Sequence, residues 1–321
     1  SHPRTAHSHP GYAFAPYIDM TGDPVPDLAA VSRASGAKQM SLGFVIAPSP
    51  NRCAPTWSGY VADPAWGPYA YQSADVAGLR AAGGAPVISF GGEDGTELAH
   101  ACTAPGALVA AYGSVIDAYA PTRVVRLDFD VEGAALGDTA ANARRAEVVA
   151  YLQRALAAVH RRLVVSFTLP AEPTGLPLSS VAVIANAIAH HVRIAYVNLM
   201  TMDFGSQLAP HPAGRMAAYS IDAALNTVRQ LAALFPHRSP AAITRMIGLT
   251  PMIGVNDDRT EVFTLADARR LAAYARRARL GMLSMWQLER DLPCGWPERY
   301  AQTSCSGVAQ RPFQFAQALA G

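Results

Sequence analysis

The sequence predicts an α/β fold, a single (β/α)8 TIM barrel. Eight runs of strand character alternate with helical patterns along the 321 residues, the order that builds a closed parallel sheet. The strand runs are close to continuously apolar, as expected of strands covered on both faces. The competing architecture, an open doubly wound sheet, lacks support because no Gly-x-Gly-x-x-Gly turn follows the first strand.

Taken in order, Tyr12 to Met20 reads as the first strand and Pro26 to Ala37 as its helix. Gln39 to Ala47 is the second strand. A long Pro- and Gly-rich loop follows, then a helix from Ala74 to Ala82 stopped by Gly83-Gly84. Ala85 to Phe90 is the third strand, with a helix over Pro105 to Tyr119. The fourth strand opens at Val124. The helix after it, Ala140 to Arg162, carries Val148, Leu152, Leu156 and Val159 on one stripe. Leu163 to Leu169 is the fifth strand, followed by a helix from Leu178 to Val192. Ile194 to Phe204 and Thr244 to Ile253 are the sixth and seventh strands, with helices over Ala213 to Leu234 and Leu265 to Arg279. Gly281 to Leu288 is the eighth strand, and Gln314 to Ala320 closes the chain as a short helix.

Half of the chain is hydrophobic and 16% is charged, a balance that favours a sizeable core over disorder. The net charge of +2, with no basic block and no basic amphipathic helix, argues against a nucleic-acid or membrane-surface partner and favours a neutral substrate. No apolar run reaches the length of a membrane span. Residues 1–10 are polar and His-rich and read as a disordered or trimmed segment ahead of one catalytic domain over 11–321. The four cysteines form no Cys-x-x-Cys pair, so a zinc or thioredoxin-like role is weak. They divide into an early and a late pair. Of three possible connectivities, Cys53–Cys102 with Cys294–Cys305 is expected, which places the protein outside the reducing cytosol, secreted and extracellular.

The stretch Val124-Val125-Arg126-Leu127-Asp128-Phe129-Asp130-Val131-Glu132-Gly133 is the most informative. On a strand its three acids share one face at intervals of about 6 to 7 Å, while Phe129 and Val131 point the other way. Carboxylates so aligned repel unless a proton, a metal or a substrate cation is shared among them. A solvated strand edge and a divalent-cation site are two readings; for the second, no His or further Asp stands nearby to complete a shell. The third is a glycosidase acid/base site.

In a barrel the active site lies at the C-terminal ends of the strands, and the unusual residues collect there. The third strand runs into Ser89-Phe90-Gly91-Gly92-Glu93, the fourth into Glu132, the sixth into Met200-Thr201-Met202-Asp203, and the eighth ends near Trp286-Gln287. These motifs resemble, one after another, the Ser-x-Gly-Gly, Asp-x-Asp-x-Glu and Met-x-Tyr-Asp motifs and the eighth-strand Trp of family 18 glycoside hydrolases, the chitinase family. The likeness spans nearly the whole chain and is nearest to a bacterial and archaeal subgroup. Two positions depart from the family. Val125 stands where many members have a first Asp. Met202 stands where they have a Tyr that hydrogen-bonds the substrate acetamide, and Tyr17 is the candidate replacement donor.

The resemblance implies a chitinase cleaving β-1,4 bonds between N-acetylglucosamine units with retention, working as a monomer and needing no cofactor or metal. Glu132 is then the general acid, with a carboxyl raised by desolvation and by Asp130. Asp130 holds the acetamide N–H, and Asp128 shares its proton. Asp203 holds the acetamide or the acid, Trp286 floors the reacting sugar's subsite, and Ser89 bonds Asp128. Gly91 and Gly92 leave room for sugar and for Asp128, or form a tight turn. Met200 and Gln287 complete the substrate-binding set. Trp57, Tyr60, Trp66, Tyr69 and Tyr71 are loop aromatics suited either to glycan subsites or to packing. Glu289, Arg290 and Asp291 suit sugar hydroxyls or surface ion pairs. A non-catalytic chitin-binding lectin or inhibitor on the same fold, and an endo-β-N-acetylglucosaminidase acting on N-glycans, stay open as alternatives. Such lectins typically lack the acid, and Glu132 is present.

Overall fold

The computed structural model describes residues 11–67, 69–296 and 298–321; the expectation for residues 1–10 lies outside them. The elements run β1 (Ala13–Phe14), β2 (Tyr17–Asp19), α1 (Leu28–Ser35), β3 (Gln39–Ile46), β4 (Thr56–Trp57), α2 (Ser73–Ala81), β5 (Ala85–Gly91), α3 (Leu98–Ala101), α4 (Pro105–Tyr119), β6 (Val124–Asp130), α5 (Thr139–Ala158), β7 (Arg162–Pro170), α6 (Leu178–Ala189), β8 (Ile194–Met200), α7 (Gly205–Leu208), α8 (Met216–Leu234), α9 (Pro240–Thr244), β9 (Ile247–Thr250), β10 (Gly254–Val255), β11 (Val262–Phe263), α10 (Leu265–Ala278), β12 (Met282–Leu283) and α11 (Gln314–Ala320).

The expected first strand is two pieces, β1 and β2. They are one extended run that changes partner: β1 pairs in parallel with β12, and β2 with β3. Pro16 stands at the break and has no N–H to give to a ladder, although its carbonyl accepts from Ser41. This handover closes the sheet. Going round, β12 pairs with β9, then β8, β7, β6, β5 and β3 follow, all parallel. The fold is the expected (β/α)8 barrel.

Helix boundaries follow local chemistry. Asp27 and Asp138 cap α1 and α5 by accepting from Ala30 and Ala141, which satisfies amides that have no partner within the helix. Thr264 and Asp267 form a reciprocal capping box on α10. The apolar alternation of the strands packs Leu127 and Phe129 outward against the helices, where Phe129 meets Tyr112 of α4. Val125 belongs to this set by strand parity and is fully buried. An acid there would face the helix layer rather than Asp128, so the departure at Val125 leaves the barrel interior unchanged.

The ends of the last two barrel strands are less regular than the apolar runs suggested. The seventh is a ladder strand only over β9, and the eighth only over β12. Pro251 interrupts the ladder, but Trp286 still donates to the Pro251 carbonyl and Ile253 to the Trp286 carbonyl. The chain after Leu283 therefore keeps its direction and carries Trp286 to the rim. The short α3, α7 and α9 and the antiparallel β10–β11 hairpin went unread, being too brief to show a period.

Candidate active site

The acidic strand meets two hydroxyl-bearing neighbours in register. On β5 Ser89 pairs with Asp128, and on β7 Ser166 pairs with Asp128 and Thr168 with Asp130. Parallel pairing without a shift puts these side chains next to one another inside the barrel. Asp128 is fully enclosed there. Its Oδ2 accepts from the hydroxyls of Tyr17 and Ser89, each at 2.8 Å. Its Oδ1 accepts from Ser166 at 2.6 Å and from Thr168 at 2.9 Å. Burial pushes its carboxyl upward, and the four hydroxyl donors pull it back. Donors on every side suit the ionised form. Asn198 extends the network, donating to Thr168 and accepting from Thr250, each at 2.9 Å.

Asp130 lies one residue pair nearer the rim. It is 5% exposed, and its Oδ1 has no hydrogen-bond partner. Its carboxyl is held well above the usual range, first by desolvation and then by the charges of Glu132 and Asp128. Glu132 stands within hydrogen-bonding reach of it, and acids so close titrate as a pair rather than singly. The partners of Asp128 are these four hydroxyls, and no bond joins it to Asp130 among the described residues.

Glu132 is half-buried at the cleft floor, and its carboxyl is raised. Desolvation is the largest cause. The bond to Asp130 lowers it rather than raising it as expected, and the acids that push it up are Glu93 and Asp94. A hydrogen bond favours the charged carboxylate, whereas Glu93 and Asp94 act on it through charge alone.

Above these acids opens a cleft of about 780 Å³, lined among others by Tyr17, Phe44, Met200, Met202, Asp203 and Trp286. Phe44 and Trp286 stack at 5.8 Å between ring centres and make an apolar wall. Phe44 has no sequence signal: the register of β3 against β5 shifts between Leu42 and Val45, and such a bulge re-aims a side chain that simple alternation would send elsewhere. Asp203 sits exposed at the rim with φ 50°, its Oδ1 accepting from the Asp258 amide at 2.7 Å. Glu93, at the third strand's end, lines the cleft as the strand-end clustering indicated, and Asp19, Asp94 and Asp257 line it too; their signal is an acid at or just beyond a strand end.

Several expectations need correcting. Gln287 does not face the cleft. It lines a separate cavity of about 350 Å³ with Asp19 and Glu289. Tyr17 does line the cleft, but it is almost fully buried and its hydroxyl is already bound to Asp128 and Thr168, so it offers no free donor in place of the missing Tyr. Gly91 and Gly92 leave room for other groups than expected. A Cβ on Gly91 would lie 2.0 Å from the Asp130 carbonyl oxygen, and one on Gly92 would meet the Phe44 ring at 2.9 Å. Trp57 is core, donating its indole N–H to the Tyr119 hydroxyl at 2.8 Å. Tyr71 packs on the same core and its carbonyl accepts from Tyr119. Tyr60, Trp66 and Tyr69 are exposed, and of the three Tyr60 lines the cleft. Arg290 and Asp291 are buried struts: Arg290 bonds the carbonyls of Ile253, Val255 and Gln302, and Asp291 accepts from the amides of Phe315 and Ala316. Both disulfides pair as expected, Cys53–Cys102 and Cys294–Cys305. No described helix is long and apolar enough to cross a membrane.

No family model matches the chain. It is 36% identical over 294 residues to the "Probable bifunctional chitinase/lysozyme" of Escherichia coli (strain K12), covering 89% of this chain and 32% of that protein. It is 34% identical over 292 residues to "Endochitinase 11" of Metarhizium anisopliae, covering 88% and 53%. The chain thus spans about a third and about half of the length of these curated relatives. Among solved structures, the catalytic domain of a hyperthermophilic chitinase from Pyrococcus furiosus superposes with a TM-score of 0.83 at 32% identity, over 97% of this chain and 95% of that one. A GH18 chitinase from Pseudoalteromonas aurantia shares the fold at 15% identity and a TM-score of 0.58. With its barrel, its acidic fourth strand and these relatives, the chain belongs to the chitinase family of glycoside hydrolases, family 18.

Proposed function

We propose that the protein is a chitinase that hydrolyses β-1,4 bonds between N-acetylglucosamine units with retention, assisted by the substrate's own acetamide. The observation that carries this reading is the row of Asp128, Asp130 and Glu132, which runs from the barrel interior to an open cleft walled by Trp286 and Phe44. A related Pyrococcus furiosus chitinase domain, bearing catalytic-site mutations, has been solved with chito-oligosaccharides, at 31% identity and a TM-score of 0.82.

Glu132 protonates the glycosidic oxygen. Its raised carboxyl keeps the proton to higher pH than a free Glu. Usual retaining glycosidases place a second carboxylate about 5 Å across the bond as nucleophile, and family 18 is an exception. Here the acetamide oxygen attacks the anomeric carbon and the leaving sugar takes the Glu132 proton. Asp130, whose free Oδ1 has no protein partner, accepts from the acetamide N–H. The cationic ring intermediate is stabilised by the surrounding carboxylates. Asp128 stays anionic beneath them, held by its four hydroxyls. Glu132 then takes a proton from water while the water oxygen attacks the anomeric carbon and displaces the acetamide oxygen, a second inversion that restores the anomeric configuration. Trp286 stacks on the sugar's apolar face. Met200 and Met202 line the pocket, and Asp203 binds at the rim. Two disulfides fit extracellular work, and we infer action as a secreted monomer.

The test is release of chitobiose from colloidal chitin by the wild type and by Glu132→Gln. The variant should lose about 10² to 10⁴-fold or more in kcat while still binding chitin oligomers. Full activity in Glu132→Gln refutes the assignment. Wild-type binding without turnover points to a lectin, and cleavage of a high-mannose glycopeptide but not of chitin oligomers points to an N-glycan enzyme.

A further inference from the structure

The cleft is far more acidic than the molecule that carries it. The chain has 26 Lys and Arg against 24 Asp and Glu, yet among the described residues seven carboxylate side chains line the cleft and no Lys, Arg or His does. Asp130 and Glu132 form the floor. Glu93 and Asp94 stand on one wall and Asp203 and Asp257 on another, with Asp19 at the end of β2.

These walls are fixed in place. The segment bearing Glu93 and Asp94 is tied at Gly92, whose amide donates to the Asp130 carbonyl at 3.0 Å, and at Thr96, whose carbonyl accepts from Ala47 at 2.8 Å. Beyond it, Glu97 is bonded to buried Arg145, and Cys102 is cross-linked to Cys53. On the other wall Asp203 accepts from the Asp258 amide, and Glu261 accepts from the Gly205 amide at 2.7 Å. Among the described residues no ion pair neutralises Glu93, Asp94, Asp203 or Asp257. Arg290 feels Asp203 and Asp257, but it is buried and its Nη1 and Nη2 groups are spent on backbone carbonyls. Asp130 Oδ1, buried and unpartnered, faces the same space.

Mutual repulsion among these acids is left uncompensated by a neutral polysaccharide. A ligand carrying ammonium groups relieves it. A metal ion is the other possible counter-charge, but among the described residues no three acids, histidines or cysteines are placed to hold one. We propose that the sugar subsites flanking the reacting unit recognise glucosamine units with free, protonated amines, so that the favoured substrate is partly deacetylated chitin rather than the fully acetylated polymer. This rests on the chitinase reading. Under that reading the reacting unit itself must keep its acetyl group, because the acetamide oxygen is the nucleophile. Selection for charge therefore acts on its neighbours through Glu93 and Asp94 on one wall and Asp257 on the other.

The experiment is calorimetric titration of Glu132→Gln with a partly deacetylated and a fully acetylated hexamer at mildly acidic pH, in low and high salt. The partly deacetylated hexamer should bind about tenfold tighter at low salt, as expected for a few weak, partly exposed charge pairs. The advantage should shrink towards parity at about 0.5 M salt, where the screening length falls to a few Å. Adding Glu93→Gln and Asp94→Asn, or separately Asp257→Asn, should remove much of the preference while leaving affinity for the neutral hexamer within about twofold, which also reports correct folding. Equal affinity for the two hexamers at low salt, or a preference untouched by salt and by both substitutions, overturns the proposal. If the preference is present but the wild type cuts neither hexamer, the chitinase reading fails while the charge selectivity stands. If chitin is cut without any preference, the reverse holds.

Discussion

Replacing Gly91 by Ala tests how the acidic strand is held at the height of the site. Gly91 sits at φ 101°, a region L side chains rarely adopt, and a Cβ there would lie 2.0 Å from the Asp130 carbonyl oxygen. Ordinary contact begins near 3.4 Å, so one of the two strands must give way by more than about 1 Å. The same carbonyl accepts from the Gly92 amide at 3.0 Å, and moving it costs that bond as well. Backbone strain of about 1 to 3 kcal/mol and a lost buried hydrogen bond of about 1 kcal/mol give a destabilisation of roughly 3 kcal/mol. The displaced group is the backbone of Asp130 itself. A shift of about 1 Å in catalytic geometry costs on the order of 100-fold in rate, so kcat of the folded fraction should fall by that factor. Urea denaturation measures the first quantity, and initial rates on a soluble chitin oligomer measure the second. Gly113→Ala is the control: it lies within α4 and its Cβ would meet nothing within 4 Å, so stability should hold or rise by up to about 1 kcal/mol. If Gly91→Ala melts like the control and keeps its rate within a few-fold, the close approach of β5 to the Asp130 backbone is not what positions the site.

Further outcomes follow from the buried acids and the covalent links. Ser166→Ala removes one of the four donors to Asp128 and should cost about 1 to 3 kcal/mol of stability; the Asp128 carboxyl then rises further, and an unchanged urea midpoint would argue that the hydroxyl is not bonded. Glu289 is held up to about 8, chiefly by burial, so its neutral form is the one the fold prefers. A raised folded value means that this contribution is complete below about 4.5 and is lost as pH climbs towards 8, amounting to several kcal/mol at most. Glu289→Gln should flatten that part of the stability–pH curve, and a slope unchanged by the substitution would refute the assignment. Breaking Cys53–Cys102, which spans 49 residues, should cost about 4 kcal/mol by loop entropy, read as a lower thermal midpoint for the double Ser variant. Trp286→Phe keeps the stacking partner for Phe44 but narrows the wall, and KM for chitin oligomers should rise several-fold with kcat less affected; a change confined to kcat would remove Trp286 from sugar binding.

Much of the architecture could be read from local pattern. Apolar runs such as Leu163 to Leu169 can only be strands covered on both sides, and α4 and α11 begin and end where the sequence indicated. The even spacing of Asp128, Asp130 and Glu132 fixed their shared face before any coordinates existed, because alternation is a property of the extended chain itself. The early and late cysteines likewise paired within their own halves.

What the chain order could not contain is which side chains from other strands arrive beside those acids. That Asp128 is ringed by donors while Asp130 keeps a free oxygen depends on Ser89, Ser166, Thr168 and Tyr17 converging from three other strands, and that is a matter of register between segments far apart in sequence. Phe44 reached the cleft through a shift in pairing, and Trp286 and Gln287, adjacent in sequence, line different cavities. Barrel closure at Pro16 has the same origin, a single run changing partners where one amide is missing. Periodicity is local and survives in the sequence. Pairing, burial and the sign of a neighbour's effect on a carboxyl are sums over the folded neighbourhood, and the tertiary structure alone decided them.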